Sequence, residues 1–114
     1  MDYLVLNQNE LSPEGSTVEW EGYHFGDTAG SLILVNLSPG EGPRLHRHPY
    51  PEIFVVHEGE ANYTVGTTNV AVRAGQIVVV SAGVPHKFIN SGPGKLRQTD
   101  IHLSAKFVTE WLEN

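Results

Sequence analysis

The stretch GEGPRLHRHPYPEIFVVHEG, residues 40–59, decides the fold and the chemistry that this sequence predicts. His46 and His48 are separated by one residue, and side chains in a β-strand point alternately to its two faces. Both imidazoles therefore lie on one face if the segment is extended. After a turn that contains two prolines, Glu52 begins the apolar run EIFVVH, which is typical of a returning strand. The carboxylate can then face the same ion as the imidazoles, so the pattern predicts a metal site.

The spacing of the fixed residues in this stretch resembles the first signature motif of the cupin superfamily. In this sequence the pattern is Gly, five residues, His-x-His, three residues, Glu, six residues and Gly. Every fixed position of the motif is filled, by Gly40, His46, His48, Glu52 and Gly59.

A second stretch, residues 75–90, resembles the second cupin motif. Its fixed positions are held by Gly75, Gly83, His86 and Asn90. The only departure is Ser81, where the family usually has proline, and this change removes no ligand. The resemblance therefore implies that one metal ion is bound by His46, His48, Glu52 and His86.

The same resemblance implies the fold. We expect an all-β, cupin-type antiparallel β-barrel of the jelly-roll kind, also called a double-stranded β-helix, with residues 1–114 forming one domain. Short apolar or alternating segments separated by turn residues favour a closed or two-sheet β architecture as well. The last segment, 105–114, is predicted to be a short C-terminal helix, because Phe107, Val108, Trp111 and Leu112 form an apolar stripe after a possible N-cap.

Composition limits the possible partners. The chain has 7 Lys and Arg against 13 Asp and Glu, a formal charge of -6, and no basic run, so we expect no binding to nucleic acid or to anionic membranes. With a length of 114 residues, we also expect no DNA-binding helix pair beside the barrel. The first twenty residues lack a basic start followed by a long apolar run, so a cytoplasmic location is the default expectation.

The ligand set limits the choice of metal without fixing it. The sequence contains no cysteine, so only imidazole and carboxylate ligands are available. Three imidazoles and one carboxylate suit divalent Mn, Fe, Co, Ni, Cu or Zn. An ion that accepts six ligands keeps two adjacent positions for water, oxygen or a bidentate substrate, and this favours catalysis over a purely structural role.

The superfamily resemblance does not specify the reaction, because cupins include dioxygenases, isomerases, decarboxylases, cyclases, sugar binders and storage proteins. We expect a metal-dependent enzyme, either a dioxygenase or an isomerase, that acts on a small oxygen-rich molecule. The alternative is a non-catalytic cupin that binds a small ligand or a sugar.

Three polar residues follow the second motif at every other position: Gln98, Asp100 and His102. If they point into the barrel, they need a ligand, water or one another as partners. Asp100 and His102 are then candidate catalytic residues that pass protons to or from a bound substrate. If they point outward, Ile101 and Leu103 fill the core instead, and alternation alone does not choose between the two.

Two further features concern the rim and the surface. Tyr50 and Arg44 are placed to border the pocket mouth, where Arg44 could meet an anionic substrate, although both are equally compatible with solvated positions.

Residues 31–37 and 53–56 are apolar on both faces, and the predicted last helix adds an apolar stripe. One barrel cannot bury all of this surface, so a homodimer is expected.

Overall fold

A computed structural model describes residues 2–11 and 17–114 of the chain. Within these residues the chain forms ten β-strands and two short 3-10 helices. The strands are β1 (Thr17–Trp20), β2 (Ser31–Leu37), β3 (His46–Arg47), β4 (Glu52–Glu58), β5 (Glu60–Val65), β6 (Thr68–Arg73), β7 (Ile77–Val80), β8 (His86–Asn90), β9 (Leu96–His102) and β10 (Glu110–Trp111), and the 3-10 helices are Gln8–Glu10 and Gly22–His24.

The strands form two five-stranded antiparallel sheets. The first sheet has the order β1-β2-β9-β4-β7, and the second has the order β10-β3-β8-β5-β6. Most strands that are consecutive in the chain, such as β3 and β4, lie in different sheets, as in a jelly roll. The predicted all-β cupin barrel is confirmed.

An aromatic layer joins the two sheets. Phe54 of the first sheet packs edge-to-face on Tyr63 of the second, with ring centroids 5.2 Å apart, and lies 6.0 Å from the ring of Phe88. Along β4 the inward side chains are Glu52, Phe54 and Val56, all buried. The strand therefore runs from a polar cluster at one end of the barrel into an apolar core at the other.

Glycines of the two motifs sit where other residues would be strained. Gly59, in the turn between β4 and β5, has φ 85°, and a Cβ there would clash with the carbonyl oxygen of Lys95. Gly83 has φ 80° just before β8. Positive φ favours glycine, so these motif positions are required by the turns that place the strands.

The predicted C-terminal helix over 105–114 is wrong. Glu110 and Trp111 instead form β10, which pairs with β3, and an ion pair of 3.0 Å joins Arg47 to Glu110. A helix of ten residues has little stability by itself, and this segment gains strand pairing and packs Phe107 against the ring of His102. The apolar spacing that suggested a helix reflects contacts with the barrel mouth.

Candidate metal centre

The four predicted ligands come together at one end of the barrel. His46 on β3 is paired with His86, the first residue of β8, in the second sheet. Glu52 begins β4 in the first sheet, and His48 lies in the turn between these strands. All four side chains are buried, and one ligand atom from each lies within 4.8 Å of the others.

Backbone carbonyl groups fix the tautomer of the three imidazoles. The Nδ1 atom of His46 lies 2.7 Å from the Arg44 oxygen, that of His48 lies 2.9 Å from the Val108 oxygen, and that of His86 lies 3.0 Å from the Val84 oxygen. A carbonyl oxygen can only accept, so in the neutral ring Nδ1 carries the proton. Each Nε2 therefore presents a lone pair to the cluster.

These lone pairs face a carboxylate oxygen. The Nε2 atoms of His48 and His86 each lie 3.1 Å from Glu52 Oε1. Lone pairs and a carboxylate oxygen repel one another, so a proton or a cation must stand between them. The buried His48 Nε2 has no hydrogen-bond partner among the described residues. The residues present thus fit a divalent transition metal in donor type, in tautomer and in charge.

Burial prepares His46 for this role. It lowers the pKa of the His46 imidazole from 6.5 to about 4, so the ring is neutral at physiological pH. Only the neutral ring offers the lone pair that a metal ion needs.

The polar row on β9 points into the barrel. Gln98, Asp100 and His102 are all buried, whereas Ile101 lies on the outer face. The Tyr63 hydroxyl donates to Gln98 Oε1 at 2.9 Å, and Gln98 Nε2 donates to Asp100 Oδ1 at 2.7 Å. Burial raises the pKa of the Asp100 carboxyl well above its ordinary value of 3.8, and the nearby Glu52 raises it further, which favours the protonated acid.

His102 brings a fourth imidazole to the cluster. Its Nε2 atom lies 3.0 Å from Glu52 Oε2, and its Nδ1 atom lies 2.7 Å from the Tyr50 hydroxyl. Register explains this position, because Glu52 and His102 are directly opposed where β4 pairs with β9.

A cavity of about 480 Å³ leads to the cluster. Its walls are mostly apolar, and apart from histidines the ionisable side chains among the described residues that line it are all carboxylic acids. The apolar wall is formed by Ile33, Val35, Leu37, Phe88, Phe107 and Trp111, and the acidic residues are Glu19, Glu52 and Asp100. This shape and lining suit a small molecule with an apolar body.

The family model for the cupin domain matches residues 33–102. The chain belongs to the cupin family. The match includes both motifs and all four predicted ligands. No helix in the described part of this cupin is both long and apolar enough to span a membrane.

Two curated relatives resemble most of this cupin. The HTH-type transcriptional regulator PuuR of Escherichia coli is 31% identical over 109 residues, which cover 91% of this chain and 58% of the regulator. Polyketide synthase CurC of Streptomyces cyaneus is 35% identical over 80 residues, which cover 69% of this chain and 51% of that protein. The chain spans about half the length of the curated relatives it matches.

Solved structures with the same fold include an oxalate decarboxylase and an oxalate oxidase. Oxalate decarboxylase of Bacillus subtilis, a protein with Mn(II) centres, superposes with a TM-score of 0.76 and 22% identity over 84% of this chain and 27% of its own. Oxalate oxidase gives a TM-score of 0.74 and 22% identity over 84% of this chain and 54% of its own. At this identity the likeness shows the fold alone.

Arg44 and Tyr50, which were predicted to border the pocket mouth, do not line the cavity. Arg44 is exposed, and its guanidinium carbon stacks 4.7 Å from the centre of the Trp111 ring rather than lining the cavity. Tyr50 is buried behind His102. Phe107, Thr109 and Trp111 line the cavity but were not predicted from the sequence. The one available signal was the apolar spacing of Phe107 and Trp111, which favoured a helix.

Proposed function

We propose that this cupin binds one divalent transition metal per chain through His46, His48, Glu52 and His86, and that it is a metal-dependent enzyme. One observation carries the proposal: three Nε2 lone pairs and a carboxylate converge within 4.8 Å where a cavity of about 480 Å³ reaches the barrel interior. When bound, such an ion supplies Lewis-acid or redox chemistry to a small molecule.

The cavity lining narrows the class of substrate. Acidic side chains and apolar walls disfavour a compact dianion, because no cationic side chain of the described residues lines the cavity. We infer a molecule with two neighbouring oxygen atoms at one end and an apolar body, such as an enediol, a catechol or a β-dicarbonyl compound. The similarity to a protein named polyketide synthase agrees with this class, since polyketides carry carbonyl or hydroxyl oxygens on a carbon chain.

The reaction we infer is dioxygenation, or isomerisation of a carbonyl or enediol. Either reaction needs a group that gives or takes a proton inside the cavity. Asp100 is suited to this role because it lines the cavity and its raised pKa keeps a proton available. His102 lines the same wall, so both residues are proposed to act on the substrate.

A non-catalytic function is the second candidate. The similarity to the regulator PuuR extends over 91% of this chain and supports a domain that only binds a small ligand. The metal ion would then hold the ligand in the pocket.

A substrate screen separates these functions. Protein reconstituted with Fe(II), Mn(II) or Ni(II) is mixed with enediols, catechols and β-dicarbonyl compounds. Oxygen consumption identifies a dioxygenase, and product formation without oxygen consumption identifies an isomerase. Shifts in melting temperature without turnover identify a binding protein. The His48→Ala variant serves as the control, and equal responses from both proteins would contradict a metal-dependent function.

We also propose a homodimer formed through an outer patch on the first sheet: Ile53, Val55, Ile77, Val79 and Ile101. Strand register places these side chains next to one another, and Ile77 and Val79 are 63% and 64% exposed. The patch is uncharged, whereas the second sheet carries the ion pairs Arg47–Glu110 and Lys87–Glu113. A second copy is the partner we infer, because two identical uncharged patches can meet around a two-fold axis despite a formal charge of -6 on each chain.

A further inference from the structure

The fourth imidazole of the cluster differs from the other three in its hydrogen bonds. His46, His48 and His86 each place Nδ1 against a backbone carbonyl oxygen. His102 instead places Nδ1 2.7 Å from the hydroxyl of Tyr50, which can donate as well as accept. The tautomer of His102 therefore depends on where the Tyr50 proton goes.

The surroundings of Tyr50 determine which atom accepts its hydroxyl proton. The backbone N–H of Val108 donates to the Tyr50 hydroxyl oxygen at 3.2 Å, so the hydroxyl needs an acceptor for its own proton. The two ring nitrogens in reach are His102 Nδ1 at 2.7 Å and His48 Nδ1 at 3.4 Å. His48 Nδ1 already carries a proton, which it donates to the Val108 carbonyl group. Tyr50 must then donate to His102 Nδ1, and the proton of His102 lies on Nε2.

This N–H group is buried without an aligned acceptor among the described residues. His102 is 2% exposed, and its Nε2 atom makes no aligned hydrogen bond within the described residues, although Glu52 Oε2 lies 3.0 Å away. A buried donor without a partner is unfavourable, and His102 lines the cavity. An acceptor atom on a molecule bound in the cavity would satisfy it.

We propose that His102 donates a hydrogen bond from Nε2 to an oxygen atom of the bound small molecule, and that Tyr50 is the positioning residue that fixes this tautomer. The proposal rests on the proposed small-molecule site for its acceptor, but the tautomer stands independently. Three imidazoles present lone pairs to a metal ion, and the fourth presents an N–H group to the substrate. Asp100 is then the residue that we propose to transfer a proton.

Nitrogen NMR of the imidazole rings tests the tautomer without any ligand. Protein labelled with ¹⁵N-histidine is loaded with diamagnetic Zn(II), and two-bond couplings identify the protonated nitrogen of each ring. We expect His102 to carry its proton on Nε2, and His46, His48 and His86 to carry theirs on Nδ1. Tyr50→Phe should remove the preference at His102. A proton on Nδ1 of His102, or an Nε2 proton unchanged in Tyr50→Phe, would overturn the assignment.

Titration with 4-nitrocatechol, whose absorbance reports binding, tests the role toward the ligand. Loss of one hydrogen bond in His102→Leu should weaken binding by the Zn(II)-loaded protein roughly tenfold, while His102→Gln, which keeps a donor, stays close to wild type. Zinc content and the circular dichroism spectrum should be unchanged in both.

The alternative results are distinct. Zinc loss in the folded His102→Leu and His102→Gln variants would make His102 a metal ligand and overturn the donor role. Equal 4-nitrocatechol affinity in all three proteins would overturn it as well. Failure of the wild-type protein to bind 4-nitrocatechol would contradict the proposed substrate class, and with it the acceptor for His102, whereas the NMR result would still decide the tautomer.

Discussion

His48 presents a lone pair to Glu52 Oε1 across 3.1 Å because its Nδ1 proton is held by the carbonyl group of Val108. Val108 belongs to the C-terminal segment, which also places Phe107 and Trp111 in the cavity wall. The segment that closes the barrel mouth therefore also orients one of the proposed metal ligands. Residues that fix the outer nitrogen of a ligand imidazole commonly tune metal affinity.

Metal should stabilise the folded protein. An ion that binds only the folded state at a hundred times its Kd raises the free energy of unfolding by about 2.7 kcal/mol. We expect the melting temperature to rise with Zn(II) or Mn(II) and to fall with a chelator. Since protons compete for the imidazole nitrogens, this response should weaken below about pH 6. A melting temperature indifferent to metal and chelator from pH 5 to 8 would count against the site.

Asp100→Asn should change how stability depends on pH. The raised pKa of Asp100 means that the folded protein keeps a proton which the unfolded chain releases above about pH 3.8. The free energy of unfolding of the wild type therefore falls as pH rises from about 3.8 to the raised pKa of Asp100 in the folded protein, by up to about 1.4 kcal/mol per pH unit. The variant has no such loss, so its advantage in chemical denaturation should grow from pH 4 toward neutral pH. An advantage independent of pH would contradict the buried, protonated acid.

Trp111→Ala should weaken ligand binding. The Trp111 ring forms part of the cavity wall and packs 5.0 Å from the His46 ring. We expect weaker binding of 4-nitrocatechol to the Zn(II)-loaded variant, with zinc content retained. Arg44→Gln is the matched control, since this side chain lies over the outer side of the ring and should change affinity by less than about twofold. A larger loss in Arg44→Gln than in Trp111→Ala would indicate that the substrate is anionic.

Ile77→Glu should separate the proposed dimer. A carboxylate in the outer patch would be buried opposite a second copy, which is unfavourable for an unpaired charge. Light scattering should give about twice the chain mass of 12.5 kDa for the wild type and the single-chain mass for the variant. Ile89→Glu, an exposed position on the second sheet, controls for added charge. A wild-type mass near 12.5 kDa at micromolar concentration would rule out the dimer.

The convergence of the four proposed ligands was predictable from the sequence because motif spacing encodes local geometry. His46 and His48 share a face through strand alternation, and Glu52 follows one turn later. His86 is distant in sequence, and only the resemblance to a second motif linked it to the others. The structure brings all four together as that resemblance implied.

The direction of the β9 side chains was not predictable from alternation. The residues of one face, including Asp100, and those of the other, including Ile101, are equally regular in the sequence. What decides between them is pairing, because β9 lies between β2 and β4 and is registered with Glu52 opposite His102. The prediction of a helix in the C-terminal segment failed for a related reason. The contacts of this segment with β3 join residues more than sixty positions apart, so local sequence does not reveal them.

Metal content is the most direct test of the proposed site. The protein and its variants are reconstituted with Mn(II) or Zn(II), freed of excess metal and measured by elemental analysis. We predict one ion per chain in the wild type, none held stoichiometrically in His48→Ala, and an unchanged content in His57→Ala, which alters an exposed imidazole outside the cluster. Metal content in His48→Ala equal to that of the wild type, or a wild-type protein that holds no metal, would contradict the account.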